Sequence, residues 1–281
     1  MGKLAYINNN FINFKNAKIN IEDRGLQFGD SVYEVIAFVN GNFIDLKFHL
    51  KRLKYSLDEI GIKYKIDEKK LLKIFQKLIN YNNIIKGIIY LQITRGVQPR
   101  EHVYKDNLRP TLIIYTKKKQ FNLPGKNFVG VKVITHKDLR WARTDIKTVN
   151  LLPNILAEKF AHKKKAYTAI LIKNNRITEG CSSNIWIVKN KTIYTHPSNT
   201  DILKGITRKR LKIIMNENNL FLKEKSFTLK QLYNADEVFL TSSGSLVTPI
   251  IKIDNISINN KKIGKITLKL SQLYSKSFFN E

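Results

Sequence analysis

The sequence predicts an α+β fold, and three observations carry that expectation. Short apolar, β-branched or aromatic runs recur through both halves of the chain. Helical-period apolar stripes interrupt them. The regular strand-helix-strand alternation of a doubly wound parallel sheet is missing. At 281 residues the chain can bury a sizeable core and favours two domains over one.

The first half opens with a hairpin. Residues 33–39 and 42–46 are apolar or aromatic runs around Asn40-Gly41, a dipeptide that suits a tight turn because both residues tolerate positive φ. Leu50, Leu53, Leu57 and Ile60 follow at helical spacing with Gly61 placed to end the helix. Leu71, Phe75, Leu78 and Ile79 repeat the pattern behind Asp67 as N-cap. Residues 87–95 and 111–116 return to strand character, and the polar stretch KKKQFNLPGKN reads as an interdomain linker. Strands are then expected at 129–136, 169–173, 184–189, 192–195, 237–242 and 247–253, with helices at 153–164 and 207–218.

Composition limits the function classes. A formal net charge of +28 would ordinarily suggest nucleic acid or an anionic membrane surface. Only ten of the fifty basic residues are Arg, however, and the lysines are scattered among abundant Asn and Ile, with no basic tail or aromatic-interleaved stripe. A nucleic-acid-binding protein is kept as the different-class alternative, and the expectation is no nucleic acid and no membrane. Cys181 is the only cysteine, which excludes an intrachain disulfide and a cysteine-rich metal site and fits a reducing compartment. The N-terminus lacks an apolar h-region, and no apolar run approaches the roughly 20 residues that span a bilayer. A cytoplasmic protein is expected. His49, His136, His162 and His196 have no metal-ligand spacing and read as structural or surface residues, so no metal is assigned.

Lys147 is the first catalytic candidate. It precedes a largely apolar stretch, DIKTVNLLPNILAEKFA, that should pack as a helix. Desolvation lowers a lysine's pKa and makes a neutral nucleophile able to form a Schiff base with an aldehyde cofactor. A surface lysine at a helix start is the alternative that the residues alone leave open. Four other segments accompany it: EDRGLQFGDSVYE at 22–34, QITRGVQPREH at 92–102, TEGCSSN at 178–184 and LKGIT at 203–207.

In this order and at these separations the five motifs resemble the fold-type IV pyridoxal-phosphate aminotransferases, and within them the D-amino-acid transaminases most closely. The resemblance runs from about residue 6 to 269. It implies a small α/β N-terminal domain over 1–117, a linker over 118–126, and a larger C-terminal pseudo-barrel over 127–281 carrying the cofactor lysine. The implied cofactor is pyridoxal 5′-phosphate, and the implied assembly is a homodimer acting on small-molecule amino acids and 2-oxo acids.

The resemblance also implies roles for single residues. Lys147 carries the cofactor and moves the substrate proton. Glu179 faces the pyridine nitrogen, where an anion favours the protonated ring; taken alone it reads as a strand-end glutamate. Ile206 and Thr207 open a helix whose N–H groups suit a phosphate, aided by Ser242 and Ser243. Arg52 matches the family's phosphate-binding arginine, though alone it is one cation on a Lys-rich helix. Arg100-Glu101-His102 puts a planar cation and an imidazole two positions apart, so in an extended loop both can meet the substrate carboxylate with Tyr33. Branched-chain L-aminotransferases and aminodeoxychorismate lyases, the rivals on the same fold, generally lack that pair. Leu203 and Ser182 are assigned to the side-chain pocket. Ser31, Thr168 and Gly244 depart from the expected pattern and bear on substrate breadth. Together these imply ping-pong transamination between a D-amino acid such as D-alanine and a 2-oxo acid such as 2-oxoglutarate.

Overall fold

A computed structural model describes residues 2–278. The contacts divide the chain into two compact units, one of residues 1–120 and 146–150, the other of 121–145 and 151–281.

The first unit holds β1 (Leu4–Ile7), β2 (Asn10–Asn13), α1 (Arg24–Phe28), β3 (Ser31–Val39), β4 (Asn42–Phe43), α2 (Leu46–Glu59), α3 (Glu68–Tyr81), β5 (Lys86–Thr94) and β6 (Thr111–Lys118). The strands form one antiparallel sheet in the order β2-β1-β6-β5-β3-β4. Asn40 and Gly41 close the β3–β4 hairpin with φ of 52° and 81°, the left-handed values that a tight turn needs. Asp67 caps α3 by accepting from Lys70 N at 3.0 Å, and Gly61 ends the α2 segment at φ +66°. The apolar stripes of α2 and α3 bury Leu53, Leu57, Phe75 and Leu78 against Val32, Ile36, Ile89 and Leu91 of the sheet.

Residues 146–150 were expected with the C-terminal domain, and the contacts place them in the first unit instead. The reason is backbone pairing. Tyr33 N donates to Lys147 O at 3.0 Å, Lys147 N to Ser56 Oγ at 3.1 Å, and Thr148 bridges Val32, while Ile146 joins the first core. Lys147 is thereby fixed to β3 and α2.

The second unit holds β7 (Val131–Lys137), α4 (Leu152–Lys163), β8 (Ala169–Lys173), β9 (Arg176–Gly180), β10 (Asn184–Lys189), β11 (Thr192–Thr195), α5 (Ile206–Glu217), β12 (Leu222–Glu224), α6 (Leu229–Tyr233), β13 (Glu237–Ser242), β14 (Leu246–Ile253), β15 (Ile256–Ser257) and α7 (Lys265–Lys276). Nine strands form a mixed sheet in the order β12-β11-β10-β13-β14-β7-β8-β9, with β15 beside β14. The terminal β9 packs near β10, so the sheet curls back on itself. Val133, Ile170, Ile177, Leu240 and Ile250 are among its core residues. The α4 helix departs from expectation: it buries Ala157 and Ala161 and leaves Leu152, Ile155, Leu156 and Phe160 exposed. No helix among the described residues is long and apolar enough to cross a membrane.

Candidate active site

In the first unit the site is built on β3, whose alternation sends Tyr33 and Glu34 to opposite faces. Lys147 is half-buried, which keeps its amine reachable, and its Nζ stands 4.2 Å from the centroid of the Tyr33 ring. Tyr33 stacks on Tyr90 at 5.7 Å and Tyr90 on Tyr115 at 4.8 Å. Burial raises the phenol pKa of both Tyr90 and Tyr115. Tyr90 OH donates to Gln92 Oε1 at 2.8 Å, and Gln92 Nε2 to Ser31 Oγ at 3.1 Å.

On the other face Glu34 is fully buried and accepts from Arg52 Nε at 2.7 Å and Nη2 at 2.8 Å, with His49 Nδ1 at 2.7 Å. Burial opposes ionisation of Glu34, but the Arg52 and His49 charges and hydrogen bonds hold its carboxyl well below the usual range. Burial also lowers the His49 imidazole, against the pull of Glu34. The Arg52 guanidinium is thus engaged by a carboxylate that sequence reasoning did not pick out. Its signal was only a glutamate inside an apolar strand.

Arg100 and His102 lie on an exposed loop after β5. Both meet Phe28: the Arg100 Cζ is 4.6 Å from the ring centroid and the His102 ring 5.7 Å from it. The loop is pinned from beneath. Buried Arg24 donates from Nη1 to Glu101 O at 2.6 Å and from Nη2 to His102 O at 3.2 Å, and its Nε pairs with Asp30 at 3.0 Å. Gln98 staples the segment by donating to Val103 O and accepting from Lys105 N, each at 2.9 Å.

In the second unit Glu179, next to last in β9, lies in a buried polar network. Leu203 N–H donates to both carboxylate oxygens at 3.1 Å, Asn184 Nδ2 donates to Oε2 at 3.0 Å, and Arg140 Nη1 pairs with Oε1. Arg140 also forks Asp138, at 2.9 Å from Nε and 2.7 Å from Nη2, and Thr178 Oγ1 donates to the same carboxylate at 2.7 Å. Burial raises the Glu179 carboxyl, and Arg140 with the Leu203 N–H counters it. Burial works against the Arg140 cation, yet Asp138 and Glu179 hold it charged. The sequence reading missed Asp138 and Arg140; an acid and a cation two positions apart on a short loop were the available signal.

Gly205 caps α5, and the N–H groups of Ile206 and Thr207 occupy the first turn, where helix geometry provides no acceptor. A Cβ at Gly205 would stand 2.0 Å from Asn184 Oδ1 and would force that amide to move. Thr207 Oγ1 lies 3.3 Å from Tyr274 OH. The Ser242 hydroxyl accepts from Ser245 N at 3.1 Å and meets Ser245 Oγ at 2.6 Å, which commits it to its own turn. Ser243 is half-buried beside it. Ser182 is exposed and Leu203 half-buried. The neighbouring Ser183 hydroxyl is buried without a hydrogen-bond partner among the described residues.

These donors fit pyridoxal 5′-phosphate. In the first unit a reachable amine suits its aldehyde; in the second a braced buried carboxylate suits a protonated ring nitrogen, and helix-start N–H groups suit a phosphate. The description Amino-transferase class IV matches residues 31–253. The D-alanine aminotransferase of Staphylococcus epidermidis is 39% identical over 274 residues, covering 97% of this chain and 96% of that protein. The D-alanine aminotransferase of Staphylococcus aureus is 40% identical over 273 residues, covering 96% of each. Among solved structures, the branched-chain aminotransferase of Thermoproteus uzoniensis superposes with a TM-score of 0.88 at 25% identity, covering 100% of this chain and 96% of that one. Similarity that runs the length of both partners and brackets Lys147 and Glu179 places the chain in the class IV aminotransferases, enzymes of fold type IV that work with pyridoxal 5′-phosphate.

Proposed function

We propose that the enzyme exchanges the amino group of a D-amino acid such as D-alanine with a 2-oxo acid such as 2-oxoglutarate, in a ping-pong cycle. The observation that carries this reading is the Arg100 and His102 pair, held at Phe28 on a pinned loop. Among the described residues Arg100 has no carboxylate partner, so a planar cation is offered to an incoming anion. Relatives near 40% identity are D-alanine aminotransferases, which supports the same donor.

When bound, pyridoxal 5′-phosphate supplies an aldehyde that condenses with amines and a ring that accepts the electron pair left at the substrate Cα. Lys147 Nζ is the anchoring amine. Displaced by substrate, it takes the proton from Cα in the first half of the cycle and returns one to Cα in the second. The Tyr33 ring beneath Nζ limits its excursions. Glu179 holds the proton on the ring nitrogen, and Arg140, Asn184 and the Leu203 N–H keep that carboxylate oriented. Ile206 and Thr207 would hold the phosphate through their N–H groups, with Ser242 and Ser243 adding backbone donors and Arg52 its positive charge. Arg100, His102 and Tyr33 grip the carboxylate, and Leu203 and Ser182 line the side-chain pocket.

We also read the enzyme as a homodimer in a reducing cytoplasm, acting on small molecules and not on nucleic acid. The exposed Leu152, Ile155, Leu156 and Phe160 of α4 form an apolar face that self-association would bury, and the lone buried thiol of Cys181 fits a reducing compartment. Paired D- and L-alanine and D- and L-leucine, each with 2-oxoglutarate, test the substrate reading. The expected result is a strong preference for D-alanine. Preference for L-leucine would overturn it in favour of the branched-chain rival, leaving the family and cofactor in place.

A further inference from the structure

We infer that Phe28 and Arg24 are positioning residues for the substrate carboxylate, acting through Arg100 and His102; this rests on the carboxylate role proposed above for that pair. Cations and aromatic rings alternate here. Arg100 and Arg24 both stand over Phe28, each 4.6 Å from the ring centroid, and Arg24 and Arg95 stand over Tyr104 at 5.6 and 3.7 Å. Asp30 neutralises the two inner cations, pairing with Arg24 at 3.0 Å and with Arg95 at 2.7 and 3.0 Å. Arg100 is the outermost cation of the stack, exposed and without a carboxylate partner among the described residues.

The arrangement has a physical purpose. A long exposed arginine loses rotamer freedom when it grips an anion, and a ring that already holds its guanidinium lowers that cost. Arg24 does the same for the backbone, because its two terminal nitrogens hold the carbonyls of Glu101 and His102, the residues that follow Arg100. Phe28 sets the Arg100 side chain and abuts the His102 ring; Arg24 sets the chain that carries them. Phe28 is only half-buried, so its replacement leaves the core intact.

Steady-state kinetics with D-alanine varied at saturating 2-oxoglutarate tests the inference on the holoenzyme. Phe28→Leu should raise KM about two- to fivefold, the weight of an exposed cation–π contact, with kcat and bound-cofactor absorbance near wild type. Phe28→Tyr, which keeps the ring, should restore wild-type KM. On an Arg100→Ala background Phe28→Leu should add little further, since the ring then has no guanidinium to hold. Phe28→Met replaces Leu if that variant fails to fold. Arg100→Ala with raised KM beside a silent Phe28→Leu, or a Phe28→Leu effect of full size without Arg100, would overturn the positioning role alone. Wild-type KM in Arg100→Ala would overturn the carboxylate reading and the positioning role with it.

Discussion

Arg140→Met measures how far the Glu179 carboxylate depends on its clamp. Asp138 and Glu179 each expose 5% of their side chains and Arg140 exposes 6%, so solvent screens these ion pairs little. Removing one partner of a buried ion pair costs about 3 to 5 kcal/mol, largely because the remaining charges stay buried and unmatched. Thr178 still donates to Asp138, and Leu203 and Asn184 still donate to Glu179, which places the loss near the lower end, about 3 kcal/mol. The pH dependence has a definite sign. Burial opposes ionisation of Asp138 in the wild type, but Arg140 holds its carboxyl below the usual range. Its contribution to stability is therefore present above the unfolded pKa and is lost as pH falls through the lower folded value. Without Arg140 both carboxyls lose that cation: the Asp138 pKa rises above its unfolded value, the Glu179 pKa, already raised by burial, rises further, and protonation relieves the strain. The deficit should be full at about pH 8 and shrink toward about pH 5 in urea unfolding of variant and wild type. A deficit under about 1 kcal/mol, the scale of an exposed pair, or one that ignores pH, would refute the reasoning.

Lys147→Ala should lose the visible absorbance of bound cofactor and reduce turnover by orders of magnitude, since nucleophile and proton carrier go together. Borohydride reduction of the wild type followed by peptide mapping checks the position, and a pyridoxyl label on another lysine sinks it. Gly205→Ala forces the Asn184 amide away from its 2.0 Å conflict, so stability should fall by about 1 to 3 kcal/mol and turnover should fall with it; an unchanged melting curve and rate would contradict the close approach. Sedimentation of wild type should give twice the 32.7 kDa chain mass, and a monomer at working concentration rules out the dimer.

The helical stripes, the Asn40-Gly41 turn and the Asp67 cap were legible because each is a local rule that tertiary contacts left standing. The β1–β2 hairpin and β9 were not read, although a signal existed. Abundant Asn looked like compositional bias, yet Asn8, Asn9, Asn174 and Asn175 all sit at positive φ, from 48° to 69°, where a short polar side chain tolerates the left-handed region. An Asn pair between apolar runs marked a turn in both places. Helix α7 was missed for a different reason: its buried stripe includes Thr267 and Ser271 beside Leu270 and Tyr274, so hydrophobicity alone did not outline it. In α4 the helix expected at 153–164 forms at Leu152–Lys163, but which face it buries was not read, and it buries Ala157 and Ala161 while larger apolar side chains stay exposed.

The site divides along the same line. Lys147, Glu179 and the α5 start belong to contiguous motifs, and a contiguous motif survives in sequence. The partners that make a buried charge tolerable do not, since Arg140 lies 39 residues from Glu179 and Arg52 lies 18 from Glu34. A buried carboxylate must find a cation or several N–H donors, but burial is decided by the fold, so the demand is invisible until the fold is known. The inference therefore runs backward from burial: once Glu34 and Glu179 are seen inside, a guanidinium beside each is required, and both are there. Arg100 reverses the case. It is an exposed guanidinium with no carboxylate partner among the described residues on a loop fixed from below, and that is the opening the proposed function assigns to a substrate carboxylate.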